Sequence, residues 1–167
     1  MKNTLINSKF HSLKHSNTRN AVASLKVVVF EMGNLNLALR IESVYKVLNQ
    51  SPVYGIGLNG LGIAYVGDRE VTVVDLHRRL FQSRIINEAF KKGYLIIVQN
   101  KEGQLYGIPV AAVPVLREIP LSKIQDLPES YRQANILGMV SQFCYIPQAE
   151  ASLMIFLLDV EQLLQDF

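Results

Sequence analysis

Apolar positions recur with a period of two over much of this chain. Leu35, Leu37, Leu39 and Ile41 fall on one side of such a pattern, which predicts a half-buried strand. Short β-branched or aliphatic runs at 26–30, 44–48, 95–98, 104–108, 110–116, 136–140 and 153–158 predict further strands. Turn residues separate them: Gly33-Asn34, the glycine-rich link 55–62, and 100–103. Pro114 marks its run as an edge or a bulge. The clearest local unit is 62–76. There a strand meets Gly67-Asp68, a second strand returns, and Asp75 precedes Leu76. Gly67 accepts a positive φ and Asp68 tolerates one, so the pair predicts a tight hairpin.

Asp75 stands where a carboxylate accepts the first free N–H groups of a short helix. The device returns at Asp159, after the run 153–158, with Gln162 three places on as in a capping box. Two copies of strand, Asp and short helix predict a chain of two similar lobes. Between them Leu80, Ile85, Ile86, Ala89 and Phe90 recur at helical spacing, and Lys91-Lys92-Gly93 reads as a helix ending. About five short strands per lobe predict an all-β fold of sandwich or barrel type.

Composition narrows the choices. With 167 residues, 49% of them apolar, the chain can bury a sizeable core. No apolar run reaches the roughly 18 residues that span a bilayer, so direct membrane insertion is not expected. The single cysteine, Cys144, forms no internal disulfide, which fits a reducing, cytoplasmic setting. The net charge of +3 divides unevenly. Residues 1–24 hold four of the seventeen cationic residues and no acid, leaving thirteen against all fourteen acids beyond them. The leader 1–24 is polar and aperiodic and reads as a disordered basic tail. The near-neutral body argues against nucleic acid as the partner.

The chemistry-bearing patterns are weak. Gly55-Ile56-Gly57-Leu58-Asn59-Gly60 matches a dinucleotide fingerprint in letters, but a strand, not a helix, should follow it. Asp75 and Asp159 are explained as structural caps. Cys144 has no histidine near it, and His77 beside Arg78 and Arg79 reads as a solvated helix face. The sequence therefore predicts no catalytic residues, no metal ligands and no cofactor.

The order of segments resembles the CheW-like family, the adaptors of bacterial chemotaxis, as a divergent member. Val44-Tyr45-Lys46-Val47 sits at the family's V-x-E-V, and 62–76 sits without a gap at its G-V-x-N-L-R-G-x-V-x-P-V-x-D-L. Residues 107–113 resemble G-L-x-V-D-x-V, and 136–140 resemble I-x-G-V. The resemblance covers about 25–165. It implies two five-stranded SH3-like barrels side by side, with short connecting and C-terminal helices. Lobe one would take about 25–80, a connecting helix about 81–93, and lobe two about 94–167. It implies no enzymatic activity, and two partners: the regulatory domain of a histidine kinase and the cytoplasmic tip of a chemoreceptor. It places partner contacts at Val44, Lys46 and Val47, and at Gly67, Asp68 and Arg69. Here Lys46 replaces the family's Glu, Gly67 its Arg, and Thr72 its Pro. The alternative is a small-barrel nucleic-acid binder using the basic tail with Tyr45, Tyr54 and Tyr65.

Removing residues 1–20 should leave the melting temperature nearly unchanged, because a disordered leader buries little. A thermal melt of the shortened chain checks this, and a large drop would show that the leader packs on the body.

Overall fold

The computed structural model describes residues 21–83, 92–132 and 138–165. Eleven strands appear among them. The first three are β1 (Ser24–Met32), β2 (Leu35–Arg40) and β3 (Val44–Asn49), with a 3-10 turn at Ile41–Ser43 before β3. The hairpin β4 (Leu61–Val66) and β5 (Arg69–Val74) leads into helix α1 (Leu76–Phe81). Then follow β6 (Tyr94–Gln99), β7 (Leu105–Val110), β8 (Val115–Pro120) and β9 (Ile124–Asp126). Helix α2 (Glu129–Arg132), strands β10 (Val140–Pro147) and β11 (Ser152–Leu158), and helix α3 (Val160–Leu164) complete the series.

The strands form two sheets. One has six strands in the order β8-β1-β2-β11-β10-β9, the other five in the order β3-β6-β7-β5-β4. These sheets do not follow the two halves of the chain. The early hairpin β1–β2 lies among strands of the late half, and the late hairpin β6–β7 lies among strands of the early half. Each half thus lends its first hairpin to the other. Each hairpin is joined on both edges, β1 to β8 and β6 to β3 antiparallel, β2 to β11 and β7 to β5 parallel, the last two being the parallel contacts in otherwise antiparallel sheets. The partition therefore differs from the expected lobes at about 25–80 and 94–167, and the strand numbers are six and five.

The exchange explains the composition of the hairpins. On β1, Val27 and Val29 face the core of the six-stranded sheet, together with Ala38, Cys144, Ile155 and Leu157. Val28, Phe30 and Met32 face the other way, into a larger core that also holds Leu37, Leu39, Ile96, Val98, Ile108 and Val110. On β6, Leu95 and Ile97 join the core of the five-stranded sheet with Ala64, Val71 and Val73. Both hairpins are therefore covered on both faces, which produces continuous apolar runs in place of alternation. The half-buried reading of β2 is corrected on this ground: Leu37, Ala38 and Leu39 are all fully buried. Leu37, Leu39, Val73, Leu76, Ile96, Val98, Ile155 and Leu157 are all buried.

The helices tie one sheet to the other. Leu76 and Leu80 of α1 and Val160 and Leu163 of α3 enter the shared core. Phe81 presses on the β1–β2 turn at Gly33, whose φ is +60°; a Cβ there would lie 2.7 Å from the ring. Glu161 of α3 accepts from the N–H of Lys101 in the β6–β7 turn (2.7 Å). Arg79 of α1 donates to the Leu163 carbonyl of α3. α1 stops at Gln82, which has a left-handed φ of 52°. Most of the helix expected at about 81–93 lies outside the described residues, as does the leader 1–20. The run expected at 110–116 is divided, since β7 ends at Val110 and β8 begins at Val115, on a sheet edge. Of the run at 136–140, only Val140 is strand, Gly138 and Met139 form a turn, and 136–137 lie outside the described residues.

Leu37→Ala removes a fully buried side chain from the shared core and should lower stability by about 2–5 kcal/mol. Urea unfolding with an unchanged slope would show the loss as a lower midpoint.

Candidate partner-binding site

The two expected contact groups lie on the five-stranded sheet but not together. Val44, Lys46 and Val47 are on β3, one edge of that sheet. Gly67 and Asp68 form the β4–β5 turn and Arg69 opens β5, with β6 and β7 between this hairpin and β3. No hydrogen bond among the described residues joins the two groups.

On β3 the β-branched and aromatic residues favour extended backbone. Val44 packs partly against the shared core and Leu48 against the barrel core. A bulge separates Val44, opposite Val98, from Lys46, opposite Ile97, so Tyr45 is the extra residue. Tyr45, Lys46, Val47 and Asn49 are exposed as a row. The hairpin turn is equally open. Gly67 has φ +60° with nothing within 4 Å of a Cβ position, and Asp68 does not share the positive φ. Positive φ at the first central residue alone is the II′ pattern. Gly67, Asp68 and Arg69 are all exposed.

Two of the tyrosines named for the nucleic-acid alternative come together on the same sheet. Tyr54 and Tyr65 meet edge to face at 6.4 Å and are 57% and 52% exposed, beside the exposed Ile63. The alternation of Ile63 and Tyr65 on β4 signals an apolar outer face. Only the fold brings Tyr54 to it, through a bridge to Ile63. A second feature is a cleft of about 430 Å³ between the sheets, lined by Arg40, Glu42, Lys101, Asp159 and Glu161 among others. Its mixed charges select neither an anion nor a cation.

The remaining candidates are held by structure. Asp75, the one buried charged residue among the described residues, accepts from the Arg78 N–H (3.0 Å) at the start of α1. Asp159 accepts from the Glu161 N–H (3.0 Å), one residue before the Gln162 that a capping box requires. The two sites also match in backbone: Asp75 N–H donates to Gly60, and Asp159 N–H to Met139. Cys144 is fully buried, and burial pushes its thiol pKa up, against a smaller lowering by Lys123. His77 lies against Phe81, ring centroids 4.6 Å apart. In the glycine-rich link, the Gly57 carbonyl accepts from the Arg78 guanidinium (3.3 Å) and β4 follows, so no helix N-terminus is offered to a phosphate. Among the described residues no group of three or more His, Cys, Asp or Glu could hold a metal ion. No helix among them is long and apolar enough to cross a membrane.

Two β barrels sharing a core, with exposed strand and turn residues, define an all-β interaction module. The chain belongs to the CheW-like domain family, whose model matches residues 26–167. Its fold, two SH3-like barrels, is similar to that in the crystal structure of the scaffolding protein TtCheW from Thermoanaerobacter tengcongensis. That match has a TM-score of 0.67 and 21% identity, and covers 83% of this chain and 90% of the other. No curated protein matches the chain by sequence. Membership of this family supports a chemotaxis scaffold.

Asp75→Ala would leave the first turn of α1 without its acceptor and should cost about 0.5–2 kcal/mol. Thermal unfolding of the variant against Asp75→Asn, which keeps an acceptor oxygen, measures the cap alone.

Proposed function

We propose that this chain is a cytoplasmic, non-catalytic adaptor that couples a chemotaxis-type histidine kinase, through its regulatory domain, to the cytoplasmic tip of a chemoreceptor. The observation that carries this reading is the CheW-like match across nearly all of the described body. The exposed row on β3 and the exposed β4–β5 turn support it as surfaces open to a partner. Rigid strands hold such residues still while their side chains set partner choice. Lys46 carries the opposite charge to the family's Glu, so its partner should present an acid where an ordinary one presents a base.

The alternative, a nucleic-acid binder, draws on the exposed Tyr54 and Tyr65, since bases stack on such rings. The near-neutral body opposes it. Titration of the purified chain with kinase regulatory domain, receptor cytoplasmic fragment and single-stranded DNA, at two salt concentrations, separates the readings. An adaptor binds the two proteins with a shallow salt dependence, whereas phosphate contacts fall away steeply as salt rises. Lys46→Glu and Arg69→Ala should each weaken one protein partner by up to about fivefold, since an exposed charge contributes under about 1 kcal/mol. If both variants stay folded and both affinities are unchanged, neither surface is the interface.

A further inference from the structure

The two sheets end in four edges, and three of them are short, covered or bounded by proline. β9 is only three residues long. β4 is covered, because Tyr54 and Ile63 exchange both backbone hydrogen bonds, at 2.8 and 2.9 Å. Gly62 permits that cover: a Cβ there would lie 2.9 Å from the Tyr54 carbonyl. β8 is blunted by proline. Leu121 N–H donates to the Ala23 carbonyl, which fixes the parity of the β1–β8 ladder. Ile119, Arg117 and Val115 then face β1, while Leu116, Glu118 and Pro120 face outward. Pro120 has no N–H to offer, and neither has Pro114 at the next outward position.

β3 has none of these devices. Gln50 N–H donates to Gly93 (2.9 Å), so Leu48 and Lys46 face β6 and the N–H and C=O groups of Val47 and Asn49 point outward. No proline lies between Val44 and Ser51, and among the described residues only β6 pairs with β3. The open stretch is bounded by the bulge at Tyr45 and by Gln50, where a φ of +51° turns the chain away. Exposed Lys46 and Val47 stand on opposite faces of it.

We infer that the outer edge of β3 is a strand-addition site, which takes a short extended segment of a partner with an acidic residue beside Lys46 and an apolar residue next to it, beside Val47. The outward backbone groups supply affinity, and the alternating faces supply selection. Directly paired residues have Cβ atoms about 4.5–5.5 Å apart, close enough for the acid to meet the Lys46 ammonium. The proposal rests on the adaptor reading only for which protein supplies the segment.

Amide exchange measured by NMR tests the edge directly. In the free full-length chain, Val47 and Asn49 should exchange much faster than Lys46 and Leu48, whose amides bond to β6. A terminally blocked Thr-Val-Glu-Val-Thr peptide should slow Val47 and Asn49 in a saturable way. It should bind about threefold tighter than its Thr-Val-Lys-Val-Thr counterpart, with the preference inverted in Lys46→Glu. Val47→Pro removes an outward donor without touching the β6 ladder, and should abolish the peptide's effect at an unchanged melting temperature. Slow exchange of Val47 and Asn49 in the free chain would overturn the proposal, as would peptide-induced protection elsewhere, no protection at all, or normal peptide binding by folded Val47→Pro. The kinase and receptor titrations read the adaptor role independently. A wild-type chain that binds neither protein refutes that role, and the exchange pattern still decides the edge.

Discussion

Two hairpins in this molecule must leave water on both faces, and no single sheet can satisfy that. β1–β2 and β6–β7 each carry apolar side chains on opposite sides of the same strands. One side fills a barrel, and the other fills the space between barrels. At roughly 25 cal/mol per Å² of apolar surface removed from water, the second face is too large a contribution to forgo. The reciprocal exchange of hairpins follows from this. So does the placement of α1 and α3, which pack into the shared core and reach across to the opposite hairpin's turn.

Recognition is confined to what this arrangement leaves outside. The strands at the centre of each sheet are spoken for on both edges and, in the hairpins, on both faces. Among the described residues, sheet borders, turns, the outer face of β4 and the cleft between the sheets remain to meet another molecule. The rigid centre fixes β3 and the β4–β5 turn at opposite ends of one strand order.

Much of the fold was legible because local chemistry specifies it. Apolar runs marked the strands, Gly33 and Gly67 marked turns, and Asp75 marked the start of α1. Strand order was not legible. The pairing of Leu37 with Phe156, or of Thr72 with Tyr106, has no signature in either segment alone. The same limit explains why β2 reads as half-buried: Ala38 looks neutral in sequence, and only β11 and β1 around it make that face a core. Within the candidate site, Lys46 and Gly67 stood out by differing from a family pattern. The bulge at Tyr45 and the Tyr54–Tyr65 contact depend on register and bridging, which arise from tertiary structure.

The parallel contact between β2 and β11 has a consequence for synthesis. The hairpin β1–β2 emerges from the ribosome with both faces apolar, yet β11, the strand it pairs with through β2, is made long after it. Until Ile155, Phe156 and Leu157 have left the exit tunnel, the first hairpin has no permanent home. Pairings between such distant segments form slowly, and sticky unpaired strands waiting for them are prone to capture by neighbours. Nascent chains of this protein should therefore depend on a holding chaperone until β11 has been made, and commit to their fold only then.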